Sequence, residues 1–484
     1  MSKEGARLGL KAAFALATLG YFLYFNLNSL WTRFAADDMM NMASYWRLKP
    51  LRMLLDPFMP WHGAYRPFAA FYYLPLLGTF GLNPLPFHAA MFALLLANVY
   101  LTYRFARLAG CGELPAGIAA LLVSYHAGLS VVYYSTAFIY DVLCFTFFMG
   151  ALLCYLGARS QGRLLRRGET ALLLPLFLFA LDSKEMALTL PLILVAYELI
   201  FHPLTSWKPA DRLNWLRGPG RVVLYCAALN LVYLYGKAFG PDPMMASAAY
   251  RPQLSVHRFF AFEVAAMNDL FLSPDGFTWR GVVALWIVTG YLAFRRRRPV
   301  LRFSWAFLML TPIPLALLEG RSGGCLYIPY AGWAVFTSVL LVDFAGAVAR
   351  LLAGEPIFRL AGSRALLALV IGAALFCWAR ENHRQRQFVQ VGMDDLGRVT
   401  GLTLDKMRAL NPHVKPGSHV AFRHDPFPDW DMLFIGELWF RDRTLQFHLL
   451  NKVPLPPEEL ARMTVFDFQG DRIVQLTSDG LSRP

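Results

Sequence analysis

Long apolar runs separated by short loops rich in arginine and lysine fill most of the first four-fifths of the chain. Runs of about 18 to 22 residues are what a helix needs to cross a bilayer. Taken with the loop charges, they predict about eleven crossings. The first spans residues 10–31 and leads into an outer loop at 32–66. Residues 67–82 are apolar but short, and Pro75, Gly78 and Gly81 interrupt them, so they read as a juxtamembrane or re-entrant helix. Crossings follow at 84–106, 114–130, 136–157, 169–183, 186–203 and 221–239. An outer segment at 240–278 then carries an amphipathic helix through RFFAFEVAAMNDLF. The remaining crossings fall at 279–294, 301–318, 324–342 and 364–380.

Loop charge sets the orientation. Arg104 and Arg107, then Arg159 to Arg167, then Lys208 to Arg221, and finally Arg295 to Arg298 all mark inner loops. Acids, tryptophans and tyrosines collect in the outer ones. The opening helix lacks a small-residue cleavage site, so it reads as uncleaved, with a cytoplasmic N-terminus. From residue 381 the composition changes. MLFIGELWF, LQFHLLN and MTVFDFQGDRIVQL alternate as strands do, and LTLDKMRALN reads as a short helix. The expected organisation is an α-helical polytopic membrane domain over 1–380 and a small α+β domain over 381–484 on the outer, periplasmic side.

The bulk numbers agree with this. The chain is 57% hydrophobic and only 16% charged, where a soluble domain would carry about a quarter. Its 46 basic residues against 32 acidic ones would fit nucleic acid by count alone, but they sit in the inner loops, which excludes that partner. The six cysteines lie in or beside apolar helices without metal-ligand spacing and read as packing residues.

Charged residues at the outer face carry the candidate chemistry. Asp37 and Asp38 follow the first crossing as a side-by-side carboxylate pair in the outer loop at 32–66. Their ordinary alternative is a solvated loop or a helix N-cap. The same face receives Tyr65-Arg66-Pro67, the hairpin Asp182-Ser183-Lys184-Glu185, and Arg321 after Glu319 and Gly320; Asp141 lies just inside it. A carboxylate can take the proton of an attacking hydroxyl; either aspartate fits that role, with Asp38 slightly preferred. Lysine or arginine can neutralise a departing phosphate, most strongly where water is excluded. The plainer alternatives are interfacial anchoring for Arg66, a local ion pair for Lys184 and Glu185, and a flexible turn for Arg321. Paired carboxylates can also hold a divalent cation, although Lys184 and Arg321 make one unnecessary, so no cofactor is required.

In order and topology these motifs resemble the GT-C class of membrane glycosyltransferases, which use polyprenyl-phosphate-linked sugars. Within it the chain is similar to the protein O-mannosyltransferase relatives and their bacterial counterparts, over residues 10–340. The acidic pair, Tyr65-Arg66-Pro67, Asp141, Ser183-Lys184-Glu185, and Arg321 with Tyr327-Ile328-Pro329 each match an element of that class. The resemblance implies catalysis at Asp37 or Asp38 and donor-phosphate binding by Lys184, Arg321 and Arg66. It implies substrate contacts from Asp141, Glu185, Tyr65 and Tyr327. Two departures stand out: the arginine that many relatives carry beside Asp141 is absent, and no tetratricopeptide array follows. The expected activity is inverting transfer of a sugar from a polyprenyl-phosphate donor to a hydroxyl, at the outer face of a bacterial inner membrane. The acceptor stays open among protein, glycolipid and wall polymer. A lipid-linked sugar flippase would place its charges near the midplane of paired halves, and a surface-polysaccharide polymerase or ligase would place a basic cluster in a large late loop.

Overall fold

The structure, a computed structural model, describes residues 3–204, 206, 208–241, 243–318, 320–321, 323–353 and 362–476. Glu319 and the last eight residues of the expected outer domain lie outside these. The first helix, α1 (Lys3–Asn26), gives way to a 3-10 turn and then to α2 (Ala36–Trp46), α3 (Pro50–Leu55) and α4 (Ala70–Phe80). Next come α5 (Pro84–Leu108), α6 (Glu113–Ser124), α7 (Ser130–Tyr134) and α8 (Ile139–Arg159). The start of α5 is built locally. Pro84 supplies a preset first turn, and the Asn83 side chain accepts from the Leu85 N–H at 3.2 Å.

A hairpin of α9 (Arg167–Ser183) and α10 (Leu190–Phe201) follows, then α11 (Pro209–Arg217) and α12 (Gly220–Phe239). The expected amphipathic segment is α13 (Val256–Leu270), whose buried residues Phe262, Ala266, Met267 and Leu270 fall on one helical stripe. The membrane part closes with α14 (Trp279–Arg295), α15 (Pro299–Leu310), α16 (Ile313–Ala316) and α17 (Tyr327–Ala353). Among the described residues six helices are long and apolar enough to cross a membrane, or seven if a bent pair counts as one. That pair replaces the single crossing expected at 114–130: Glu113–Ser124 and Ala127–Tyr134 meet at 52°. Several other expected crossings are shorter helices, among them the 17-residue α9 and the 12-residue α10.

The change of composition at 381 falls inside one helix, α18 (Gly362–Leu410), whose 49 residues reach about 73 Å. LTLDKMRALN is therefore the end of this long rod, not a separate short helix. Beyond it lie β1 (His419–Arg423), α19 (Asp431–Phe440), β2 (Gln446–Leu449), α20 (Pro457–Leu460), β3 (Thr464–Gln469) and β4 (Arg472–Leu476). The sheet order is β2-β1-β3-β4, with β1 parallel to both neighbours and β3–β4 an antiparallel hairpin. MLFIGELWF forms α19 rather than a strand. Its buried positions, Met432, Ile435, Gly436 and Leu438, follow a helical stripe, and Gly436 lets the helix lie against the Phe422 ring.

Two contacts fix the segment between α1 and α4. A Cβ at Gly236 of α12 would stand 2.1 Å from the Pro60 carbonyl oxygen, and the Lys237 ammonium donates to the Ala64 carbonyl at 2.6 Å. The small domain is pinned to that segment through α2. Arg47 pairs with Glu437 of α19 through two 2.8 Å hydrogen bonds, and Arg443 donates to the Trp46 and Leu48 carbonyls. Gly236→Ala should therefore push the segment off α12. We expect a loss of about 1–3 kcal/mol in thermal unfolding of the purified protein, where Gly9→Ala, with open space around it, changes nothing.

Candidate active site

The two aspartates divide. At the start of α2 adjacent side chains point about 100° apart, so both cannot face the same way. Asp38 is 1% exposed, while Asp37 is exposed. One Asp38 oxygen accepts the Ala35 N–H at 2.7 Å and caps α2; the other accepts the Thr136 hydroxyl at 2.6 Å, just before α8. Burial pushes the Asp38 carboxyl up to about 6, although hydrogen bonds from Thr136, Ala35 and Ala137 pull the other way.

Beside Thr136 the remaining charged residues form one network. Asp141, in the first turn of α8, accepts from the Lys184 ammonium at 2.6 Å, and Lys184 also meets the Cys325 sulfur at 3.2 Å. Arg66 is 6% exposed and sits in the left-handed region at φ 43°, sparsely populated for a residue other than glycine. Its guanidinium grips Glu185 with a fork of 3.2 and 2.9 Å. It also lies over the rings of Tyr65, Tyr140 and Tyr250, at 4.8, 4.9 and 5.8 Å. Tyr45 donates to the Arg66 carbonyl at 3.0 Å, and the Tyr65 and Tyr250 hydroxyls meet at 3.0 Å. Arg321 stacks on the far side of this group, 5.1 Å from the Tyr250 ring centre. Burial would raise the Glu185 carboxyl, but the Arg66 charge and hydrogen bonds hold it at about 2.

Arg66 and Lys184 are thus each neutralised by a buried carboxylate. Arg321 has no carboxylate in ion-pair reach among the described residues. Of the residues singled out from sequence, Asp38, Tyr65, Arg66, Asp141, Lys184, Glu185 and Arg321 fall in or beside this network, with Asp37 exposed next to Asp38. Tyr327 does not join them; it is fully buried with its ring 4.5 Å from Phe145.

Other participants escaped the sequence reading: Tyr45, Thr136, Tyr140, Tyr250, Cys325 and Asp431. One signal was available for Tyr250, because Tyr250-Arg251-Pro252 repeats Tyr65-Arg66-Pro67, and the two tyrosines are the ones that touch. Arg251 does not copy Arg66, since it turns outward to the Met245 and Ala246 carbonyls. Asp431 opens α19 beside α2; burial, then Asp429 and Asp37, raises its proton affinity. Nothing in the sequence tied it to the segment that carries α2. Among the described residues no three His, Cys, Asp or Glu side chains converge to hold a metal ion, and both Asp38 oxygens are engaged within the protein.

The fold is that of the GT-C membrane glycosyltransferases. In particular it is similar to the crystal structure of ArnT from Cupriavidus metallidurans in the apo state, with a TM-score of 0.56 at 14% identity over 99% of this chain and 100% of that one. The same enzyme bound to undecaprenyl phosphate gives a TM-score of 0.52 at 14% identity, over 96% of this chain and 93% of that one. The Archaeoglobus fulgidus oligosaccharyltransferase tethered with an acceptor peptide is more distant, with a TM-score of 0.48 at 13% identity over 92% of this chain and 64% of that one. No family model and no curated protein matches the chain.

Glu185→Gln leaves the Arg66 guanidinium buried without its counter-charge, which should cost about 3–5 kcal/mol of stability. Thermal unfolding checks this directly. An unchanged midpoint would mean that water already reaches the pair.

Proposed function

We propose that this protein is an inverting glycosyltransferase of a bacterial inner membrane, taking its sugar from a polyprenyl-phosphate donor at the outer face. The observation that carries the reading is the exposed Asp37 carboxylate, set beside a buried network whose one uncompensated described cation is Arg321. The near full-length likeness to ArnT, seen in one structure with undecaprenyl phosphate, supports a lipid-phosphate donor.

In this mechanism Asp37 takes the proton from the acceptor hydroxyl. The freed oxygen attacks the anomeric carbon from the face opposite the phosphate, and the bond from that carbon to the phosphate oxygen breaks. Polyprenyl phosphate leaves with the bonding electrons, and the anomeric configuration inverts. Arg321 meets the charge that grows on the leaving group. Lys184 and Arg66, fixed by Asp141 and Glu185, hold the surrounding tyrosines and hairpin in place. Tyr65 and Tyr250 form a wall for the donor. Asp38 acts on Asp37 by fixing the start of α2, and the small domain brings Asp431 to the acceptor side.

Transfer by the purified full chain from a panel of polyprenyl-phosphate sugars tests this. Asp37→Asn should lower transfer about a thousandfold, as loss of a general base does. Ionised Asp38 accepts the Ala35 and Thr136 hydrogen bonds that fix the start of α2, and so aims Asp37 at the acceptor. Wild-type transfer should therefore rise with pH through about 6 and level off above it. Asp38→Asn should lose about tenfold in rate and erase that limb. Full transfer by Asp37→Asn would remove the catalytic assignment. Donor that crosses the bilayer unconsumed would replace transfer with transport.

A further inference from the structure

A second polar recess lies away from the carboxylates, at the seam between the helical bundle and the sheet domain. It is a groove of about 500 Å³ whose walls come from the α4–α5 turn, the end of α18 and the end of α19. Phe80, Asn83, Arg408, Leu438, Trp439 and Arg441 line it. The chemistry of the set is specific: two guanidinia, an amide and an indole, with no acid among the lining residues.

The two arginines are held differently. Arg408 donates to the Leu82 carbonyl at 3.1 Å and pairs with Asp405 at 2.7 Å, which anchors α18 on the turn. Arg441 ends α19 in the left-handed region at φ 51°, and its guanidinium reaches across to Gly81, where a Cβ would stand 2.8 Å from Nη2. Among the described residues it has no carboxylate in ion-pair reach. A planar guanidinium without a counter-ion, beside a second guanidinium and an amide, fits the oxygens of a phosphate.

The apolar rim gives the source of that phosphate. Phe80 is 50% exposed and Leu85 42% exposed at the start of α5, a helix long and apolar enough to span a bilayer. The recess therefore opens where a span enters the membrane, the level at which tryptophan and lipid headgroups sit. We propose that this groove binds the phosphate of an anionic lipid headgroup, with Arg441 and Arg408 on the phosphate, Asn83 on its oxygens or glycerol, and Trp439 against the headgroup body. Such a lipid would clamp α19 to the α4–α5 turn from the side opposite its contact with α2. The inference rests on the membrane fold and not on the proposed transfer chemistry.

Calorimetric titration of the purified full chain with short-chain phosphatidylglycerol, phosphatidylcholine of the same chain length, and inorganic phosphate tests it. The wild type should bind phosphatidylglycerol about tenfold more tightly than phosphatidylcholine. Arg441→Gln and, separately, Trp439→Leu should lose that preference while keeping the wild-type thermal midpoint. Arg104→Gln, near the other end of α5 over Tyr100, should keep it. Wild-type affinity in both Arg441→Gln and Trp439→Leu would overturn the proposal. Inorganic phosphate binding as tightly as phosphatidylglycerol would also overturn it, in favour of a soluble anion.

Discussion

A charge can stay buried among apolar helices only if an opposite charge and good hydrogen bonds go in with it. The Arg66–Glu185 pair is where this chain meets that constraint most severely. The two residues lie 119 positions apart, one at the end of the segment that carries α2 and α3 and one on the α9–α10 hairpin. Neither can be buried until the segment and hairpin have met, so the pair makes the arrangement of the segment conditional on the bundle. Lys184–Asp141 repeats the logic between the hairpin and α8. The left-handed backbone at Arg66, uncommon for a residue with a side chain, is held by the same contacts. Three tyrosine rings around the guanidinium complete its enclosure, which is why Arg66 serves as a keystone of the segment rather than as a free cation.

The paired aspartates show how a helix start distributes roles. Two consecutive carboxylates on α2 cannot point at one target, so one must turn inward. Asp38 does so, and it is useful there: it caps α2 and ties it to the beginning of α8. Keeping it ionised in that position costs on the order of 3 kcal/mol at neutral pH, judged from a carboxyl displaced from 3.8 to about 6. The bundle holds α2 from below through Thr136, and the sheet domain holds it from above through Arg47–Glu437. Asp37 is thus exposed on a helix braced at both faces.

Hydrophobic pattern made the bundle legible, because a bilayer imposes length and polarity on every span. The start of α5, the amphipathic α13 and the β3–β4 hairpin all lie where their local signals put them. Failures came where tertiary packing overrode a local pattern. MLFIGELWF has strand-like residues, yet it becomes a crossover helix because β1 and β2 are parallel and need one. The change at 381 falls within α18, so a change of composition did not mark the end of a helix. Charged members of the site were readable because charge beside a span is conspicuous. Tyr45, Tyr140, Tyr250 and Thr136 were not singled out, since aromatics and hydroxyls are common at every membrane interface and only distance distinguishes those that touch Arg66 or Asp38.

Counting charge in the network sharpens the proposed chemistry. Two of its described cations are cancelled by buried carboxylates, which leaves the single charge of Arg321. In the proposed reaction the donor, a sugar joined to polyprenyl phosphate, is a phosphodiester with one negative charge, which Arg321 would balance in the ground state. As the anomeric bond breaks, the phosphate gains further negative charge and its attraction to Arg321 grows. An interaction that strengthens along the reaction lowers the barrier. Arg321 itself lies beside Tyr250, between Gly320 at φ 63° and Gly323 at φ 55°, backbone conformations that favour glycine.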